Sequence, residues 1–280
     1  MHRQTLTIVG VGLIGGSIGL AARQRGVVRH VRGVGRHPAS LDRAVALGAI
    51  DEAFVSLEEA VAGADMVVFC TPVDRIAAQV LEAAPFCAPA TVLTDAGSTK
   101  ATIVRAIDGN LPKGVAFVGG HPLAGSEKRG PDAADCDLFQ DRWTVLTPTD
   151  TTDPGALQRV RALWHGLGSL TRLMPAEEHD RALGLTSHLP HLLASALAGL
   201  LPQEWHELTA TGFRDTTRTA AGDPALWAAI FDHNRAALLA ALLRLEHRLH
   251  EFRTAFETHD NAAIVQLLAQ AKEVRDALGS

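Results

Sequence analysis

The 280-residue sequence predicts an α/β fold in its first part and an all-α fold in its second, divided near Met174. Three observations carry that reading. Up to Met174, short apolar runs of β type alternate with helical patterns, the mark of a mostly parallel sheet with helices on both faces. A glycine cluster, Gly10, Gly12 and Gly15, stands directly behind the first of those runs. Beyond Met174 strand signals stop and Leu and Ala become dense, as a helical domain requires. Domains of residues 1–174 and 175–280 follow.

In chain order, the expected strands are Leu6–Val9, Val31–Val34, Met66–Cys70, Val92–Thr94, Ala116–Val118, Trp143–Leu146 and Ser169–Leu173, with helices between most of them. In the second part Asp223–Pro224 opens a helix, with Asp as N-cap and Pro at the first helical position. From Leu226, the residues Ile230, Leu238, Leu242, Leu245, Leu249, Phe252 and Phe256 keep near-helical spacing, which predicts one helix of more than about 30 residues. Asp260 opens another, ending near Gly279. So long a helix in a small helical domain does not hide its apolar surface alone, and a homodimer through this domain is expected.

Apolar residues at 47% and charged residues at 20% are enough for an ordinary globular core. A net charge of −5 leaves no basic footprint for nucleic acid or an anionic membrane. The three cysteines, Cys70, Cys87 and Cys136, are widely spaced with no CxxC pattern, so reduced thiols in a cytoplasm are expected and structural zinc is not. The N-terminus runs straight into a strand without an apolar leader, and no apolar run reaches the roughly 18 residues of a membrane span. The helical pattern continues to the end of the sequence, leaving no room for an appended regulatory domain.

Gly10, Gly12 and Gly15 match G-x-G-x-x-G between a strand and a helix. One glycine permits the tight turn, one lets the backbone approach a pyrophosphate, and one lets helix and strand pack closely. The helix that follows, opened by Leu13 and Ile14, presents free N–H groups and a partial positive charge to phosphates. A Rossmann-type domain binding NAD or NADP is the reading. The second strand should end in an acid to hold the 2′-hydroxyl of NAD. Gly35 stands there instead, followed by Arg36 and His37, and an arginine attracts a 2′-phosphate, so NADP is favoured. Thr71 and Pro72, after the Met66–Cys70 strand, border the cofactor, as does Gly97.

Six segments occur in an order that resembles the prephenate/arogenate dehydrogenase family: GVGLIGGSIG from Gly10, CTPV from Cys70, DAGSTK from Asp95, GGHPLAGSEKRG from Gly119, HDRALGLTSHLPH from His179 and GFRDTTRTAAGDPALW from Gly212. Leu123 stands where that family commonly has methionine, and Thr99 where it has valine. The resemblance implies a helical dimerisation domain after the Rossmann domain. It implies oxidative decarboxylation of prephenate, or of arogenate, by hydride transfer from a ring carbinol.

His121 follows a strand at the sheet edge where ligands bind, and Pro122 restricts its backbone. An imidazole of pKa about 6.5 is largely neutral at pH 7 and can take the hydroxyl proton; the resemblance gives the GGHP histidine that role. Ser98 can bridge substrate and nicotinamide, or else cap the helix that follows. Arg218 offers a fork to a carboxylate, which the resemblance makes a substrate carboxylate, with Arg214 assisting; the alternative is an ion pair with Asp215. His188 and His191 flank Pro190, whose kink would aim both into a cleft. They lack a third metal ligand, and by resemblance the second marks prephenate-using members. Glu127 is placed by resemblance at the pocket mouth. The rivals are another two-domain hydride-transfer enzyme, such as a 3-hydroxyacid dehydrogenase or imine reductase, and a non-catalytic NAD(P)H sensor. The first shares the fold but usually centres on a lysine, and the second has no use for His121, Ser98 and Arg218 together.

Overall fold

A computed structural model describes residues 4–126 and 128–279. The chain divides into two compact units, residues 1–234 and 235–280.

The first unit is built on an eight-stranded sheet of order β3-β2-β1-β4-β5-β6-β7-β8. The strands are β1 (Thr5–Val9), β2 (His30–Val34), β3 (Glu52–Phe54), β4 (Met66–Phe69), β5 (Val92–Asp95), β6 (Ala116–Pro122), β7 (Trp143–Thr147) and β8 (Leu170–Leu173). Helices α1 (Leu13–Gln24), α2 (Pro38–Ala46), α3 (Leu57–Val61), α4 (Val73–Ala83), α5 (Ala101–Ile107) and α6 (Pro154–Gly166) connect them. All pairings are parallel except β6 with β7, where His121 lies opposite Val145. The strand order reverses beside β1, which sits between β2 and β4. Ligands of open α/β sheets bind at that switch point, beyond the carboxyl ends of the strands.

Both faces of the sheet are covered, and β4 shows why its sequence is uniformly apolar. Met66 and Val68 enter a core with Leu6, Ile8, Ile18 and Trp164. Val67 and Phe69 enter another with Ile76, Leu93 and Ile103. Alternate side chains of one strand therefore both need apolar surroundings.

Seven strands were expected and the eighth, β3, was not. It has three residues, two of them exposed and one half-buried, so neither alternation nor length marks it. Its place is set by pairing with β2, Arg32 opposite Glu52, and by Asp51, whose carboxylate accepts from Val31 N at 2.8 Å.

Helices α7 (Ala176–Leu183), α8 (Leu189–Gly199), α9 (Thr211–Thr217) and α10 (Pro224–His233) complete the first unit. A π-type turn over Gly184–His188 joins α7 to α8, directly before Pro190, which has no N–H to continue an α-helical ladder. Asp223 caps α10 as expected, its carboxylate accepting from Leu226 N. The single helix expected from Leu226 onward is two. Helix α10 stops at His233, and Asn234 leaves helical geometry (φ −117°, ψ 28°). The Asn234 side-chain amide donates instead to Asp180 O at 2.7 Å and reaches His188 Nδ1 at 2.9 Å.

The second unit is the pair α11 (Arg235–Glu257) and α12 (Asn261–Ala277). Asp260 caps α12 by accepting from Ala263 N. Leu239, Leu243, Leu249 and Phe256 of α11, and Val265, Leu268 and Val274 of α12, are exposed. Among the described residues no helix is long and apolar enough to cross a membrane.

Candidate active site

The glycine turn after β1 divides its tasks as the motif requires. Gly10 has φ +93°, and a Cβ there would stand 2.9 Å from Thr71 Cγ2. Gly15 packs helix on strand so closely that a Cβ would lie 2.2 Å from Gly10 O. Gly12 faces open space instead. Helix α1 has no side-chain cap and no acid in its first turn, so its N–H groups, those of Leu13 and Ile14 included, remain for an anion. A dinucleotide pyrophosphate fits this turn.

A cleft of about 360 Å³ at the switch point is lined by Gly10, Gly12, Gly35, Arg36, Thr71 and Pro72, with His37, Ser40 and Arg75 also on its wall. Thr71 Oγ1 donates to Gln79 Oε1. Burial and the nearby Asp95 carboxylate push the Cys70 thiol well above its ordinary range, so it is an inert neighbour of the cleft. Gly97 lines neither this cleft nor the cavity beside His121. It is buried, donates its N–H to Asp95 Oδ2 at 2.9 Å, and shapes the loop that carries Ser98.

A second cavity of about 850 Å³ is lined by Ser98, His121, His191, Arg218 and Trp227, with Thr186 and Ser187. The loop after β5 supplies Ser98 and the end of β6 supplies His121. Ser98 is not a helix cap: Lys100 occupies the N-cap position of α5 without a capping side-chain bond. Asp180 of α7 satisfies that helix end from outside, accepting from Lys100 N and Ala101 N, each at 2.8 Å.

Asp95, passed over in the sequence, ties the two loops together. It is fully buried at the end of β5. One oxygen accepts from Gly120 N at 3.0 Å, beside His121, and the other from Gly97 N, beside Ser98. The ammonium of Lys100, equally buried, pairs with it. The two glycines before His121 make the approach possible, since a Cβ on Gly120 would lie 2.7 Å from Asp95 O.

His121 Nδ1 lies 2.8 Å from His179 Nε2, and His179 Nδ1 lies 2.8 Å from Asp180 Oδ1. Burial first, then the fields of His179, Lys100 and His188, hold His121 well below the ordinary histidine pKa. Burial also lowers His179, against the pull of Asp180.

Only one member of the Pro190 histidine pair faces the cavity. His191 stacks on Trp227 with ring centroids 3.5 Å apart, and its Nδ1 is buried without a protein partner. His188 is turned away: it is 1% exposed, bonded to Asn234, and lowered by burial to a pKa of about 4. The difference lies in their partners: Asn234 holds His188 in the interior, while Trp227 holds His191 against the cavity. Arg218 sits on a 3₁₀ turn after α9 and lines the cavity. Arg214 does not: its guanidinium donates to Thr209 O at 3.3 Å. Glu127 lies outside the described residues.

These buried histidines, held below the ordinary histidine pKa, should make the fold acid-labile. Below pH 6.5 the unfolded chain takes up protons that the folded chain refuses, so stability is lost as pH falls. For His188 alone, with its pKa of about 4, the loss at pH 5 is about 2 kcal/mol. The Tm measured by calorimetry should drop between pH 8 and pH 5. The variant His188→Asn, whose Oδ1 replaces Nδ1 as acceptor, should flatten that slope; a Tm flat with pH in the native protein would contradict the assignment.

Residues 18–172 match the family described as "Prephenate dehydrogenase, nucleotide-binding domain", and residues 175–270 match "Prephenate dehydrogenase, dimerization domain". The cyclohexadienyl dehydrogenase of Zymomonas mobilis is 34% identical over 98% of this chain and 95% of its own. Among solved structures, prephenate dehydrogenase from A. aeolicus, in complex with hydroxyphenyl propionate and NAD+, superposes with a TM-score of 0.93 at 32% identity, covering 99% of both chains. Synechocystis arogenate dehydrogenase superposes with a TM-score of 0.82 at 30% identity over 98% of this chain and all of the other. A two-part match of this extent, over a glycine cradle and a histidine-bearing cavity of the expected kind, places the chain in the prephenate dehydrogenase family of NAD-dependent oxidoreductases.

Proposed function

We propose that this chain oxidises prephenate to a 4-hydroxyphenyl keto acid and CO2, with NADP preferred over NAD. The observation that supports it most is one cavity shared by His121, Ser98, His191 and Arg218. When bound, the nicotinamide ring supplies the hydride acceptor. His121 Nε2, the ring nitrogen not engaged by His179, takes the proton of the ring hydroxyl as its carbon becomes a carbonyl. Ser98 orients that oxygen. The carbon–carboxylate bond then breaks, its electrons complete the aromatic ring, and the proton returns from His121 to the phenolate. Arg218 anchors a substrate carboxylate, and His191, held flat on Trp227, reads the side chain that distinguishes prephenate from arogenate. Initial rates at 340 nm with each substrate test this; turnover of arogenate alone would refute it.

The cofactor preference rests on the wall of the cleft. Gly35 follows β2, and Arg36, His37, Ser40 and Arg75 stand around it, with no carboxylate at the strand end to repel a 2′-phosphate. Arg36→Ala should lower kcat/KM for NADP by about 10- to 100-fold and leave that for NAD within about twofold. A native enzyme strongly favouring NAD would overturn the preference. The division at Met174, a cytoplasmic setting and a homodimer through residues 175–280 belong to the same reading. The exposed leucines of α11 and the dimerization-domain match support the dimer, and light scattering on the whole chain measures it.

A further inference from the structure

We propose that His179 is a positioning residue for the reaction: with Asp180 it sets which nitrogen of His121 is free to take the proton. The inference rests on His121 being the base, as read above, and assigns a role to two residues outside the cavity wall.

The protons along this chain of hydrogen bonds can be counted. Both oxygens of Asp180 accept backbone N–H groups at the start of α5, from Lys100 and from Ala101. A carboxylate used in this way has only acceptors to offer. His179 Nδ1, 2.8 Å from Asp180 Oδ1, must therefore carry a proton. His179 is 0% exposed, and burial without enough compensating charge keeps the ring neutral. Its one ring proton being on Nδ1, its Nε2 is bare and can only accept. His121 Nδ1, 2.8 Å away, must then be the donor. A neutral His121 has no second proton, so its Nε2 is a bare lone pair on the ring edge left for the cavity.

The chain thus fixes both rings as Nδ1–H tautomers, the less favoured form of free histidine. In water the Nε2–H form prevails, and an unconstrained His121 would spend most of its time with the wrong nitrogen protonated. When Nε2 takes the hydroxyl proton, the new charge on His121 is met at Nδ1 by His179, which in turn donates to a carboxylate. No proton leaves the relay, so the one taken from the alcohol is still there for the phenolate. The Asp95–Lys100 pair holds the strand end in register, so the 2.8 Å contact is made between rigid elements.

Two substitutions separate this role from mere packing. In His179→Asn the side-chain amide stands where Nδ1 was and still donates to Asp180, but nothing remains at the Nε2 position. In His179→Gln the amide oxygen reaches the Nε2 position and accepts from His121. We expect His179→Asn to lower kcat about 100-fold, with KM for prephenate changed less than about threefold, and His179→Gln to recover about tenfold of that loss. Histidine ¹⁵N NMR of the native protein should show both His121 and His179 as Nδ1–H tautomers, a readout that needs no variant to fold.

An Nε2–H tautomer on His121 would overturn the proposal. So would equal losses in the Asn and Gln variants, or a native kcat in His179→Asn while His121→Asn is inactive. If His121→Asn itself keeps native turnover, the reading of His121 as base fails first, and that outcome is distinct from the other three.

Discussion

Replacing His121 by Asn should leave a folded chain that still binds the dinucleotide but has lost about 10³-fold in kcat with prephenate. The size of the effect follows from what the substitution spares. An asparagine amide occupies the position of Nδ1 and can donate to His179 Nε2, so the 2.8 Å contact with that ring survives. Gly120, Asp95 and Lys100 are untouched, and so is the strand pairing of residue 121 with Val145. What disappears is Nε2, the lone pair proposed to take the hydroxyl proton. The lowered pKa of His121 adds a direction: its base form persists in acid, so kcat/KM should stay flat down through pH 6.5 and fall only below it. Rates at 340 nm and the fluorescence of bound reduced cofactor measure both properties. Turnover within about tenfold of the native value would remove His121 from the chemistry.

Arg218→Ala should raise KM for prephenate by about 100-fold, the cost of about 2–3 kcal/mol for a lost charge-assisted pair, with kcat and the affinity for NADP changed little. Arg218 lines the cavity from the turn that follows α9, whereas the cofactor cleft is walled by the ends of β1 and β2, the turns after them, and residues of α2 and α4. Loss should therefore fall on the substrate. Arg218→Lys should restore only part of it, because an ammonium lacks the planar fork. An unchanged KM for prephenate, or a loss confined to NADP, would move the carboxylate anchor elsewhere.

Much of this site was legible in the linear chain, for identifiable reasons. The glycine turn after β1 is a matter of local sterics, and each of Gly10, Gly12 and Gly15 meets the surroundings its motif demands. Asp223–Pro224 announces a helix start through bonds spanning three residues. Ser98, His121, His191 and Arg218 stood in segments whose residue types already suggested chemistry, and the fold brings all four to one cavity.

Other features carry no local signal. The sequence brought His179 to notice only as one letter of a segment, although its ring lies against a histidine 58 positions away. Asp180, neighbour of that ring, caps a helix that begins 79 residues earlier. His188 and His191 read as a matched pair, and only the packing against Asn234 and Trp227 sends one to the interior and the other to the cavity. The break at Asn234 was hidden for the same reason: its partners, Asp180 and His188, are distant in sequence.

By itself, then, the order of residues determined the alternation of strands and helices and the glycine turn after β1. These depend on backbone sterics and hydrogen bonds that close within a few residues. Tertiary structure alone decided which nitrogen of His121 meets His179, which histidine lines the cavity and where Asp95 ties two loops together. Those outcomes depend on distances between elements far apart in the chain, and a hydrogen bond falls away within a fraction of an ångström of its optimum. No periodicity or composition encodes a distance that fine; only the packed arrangement does.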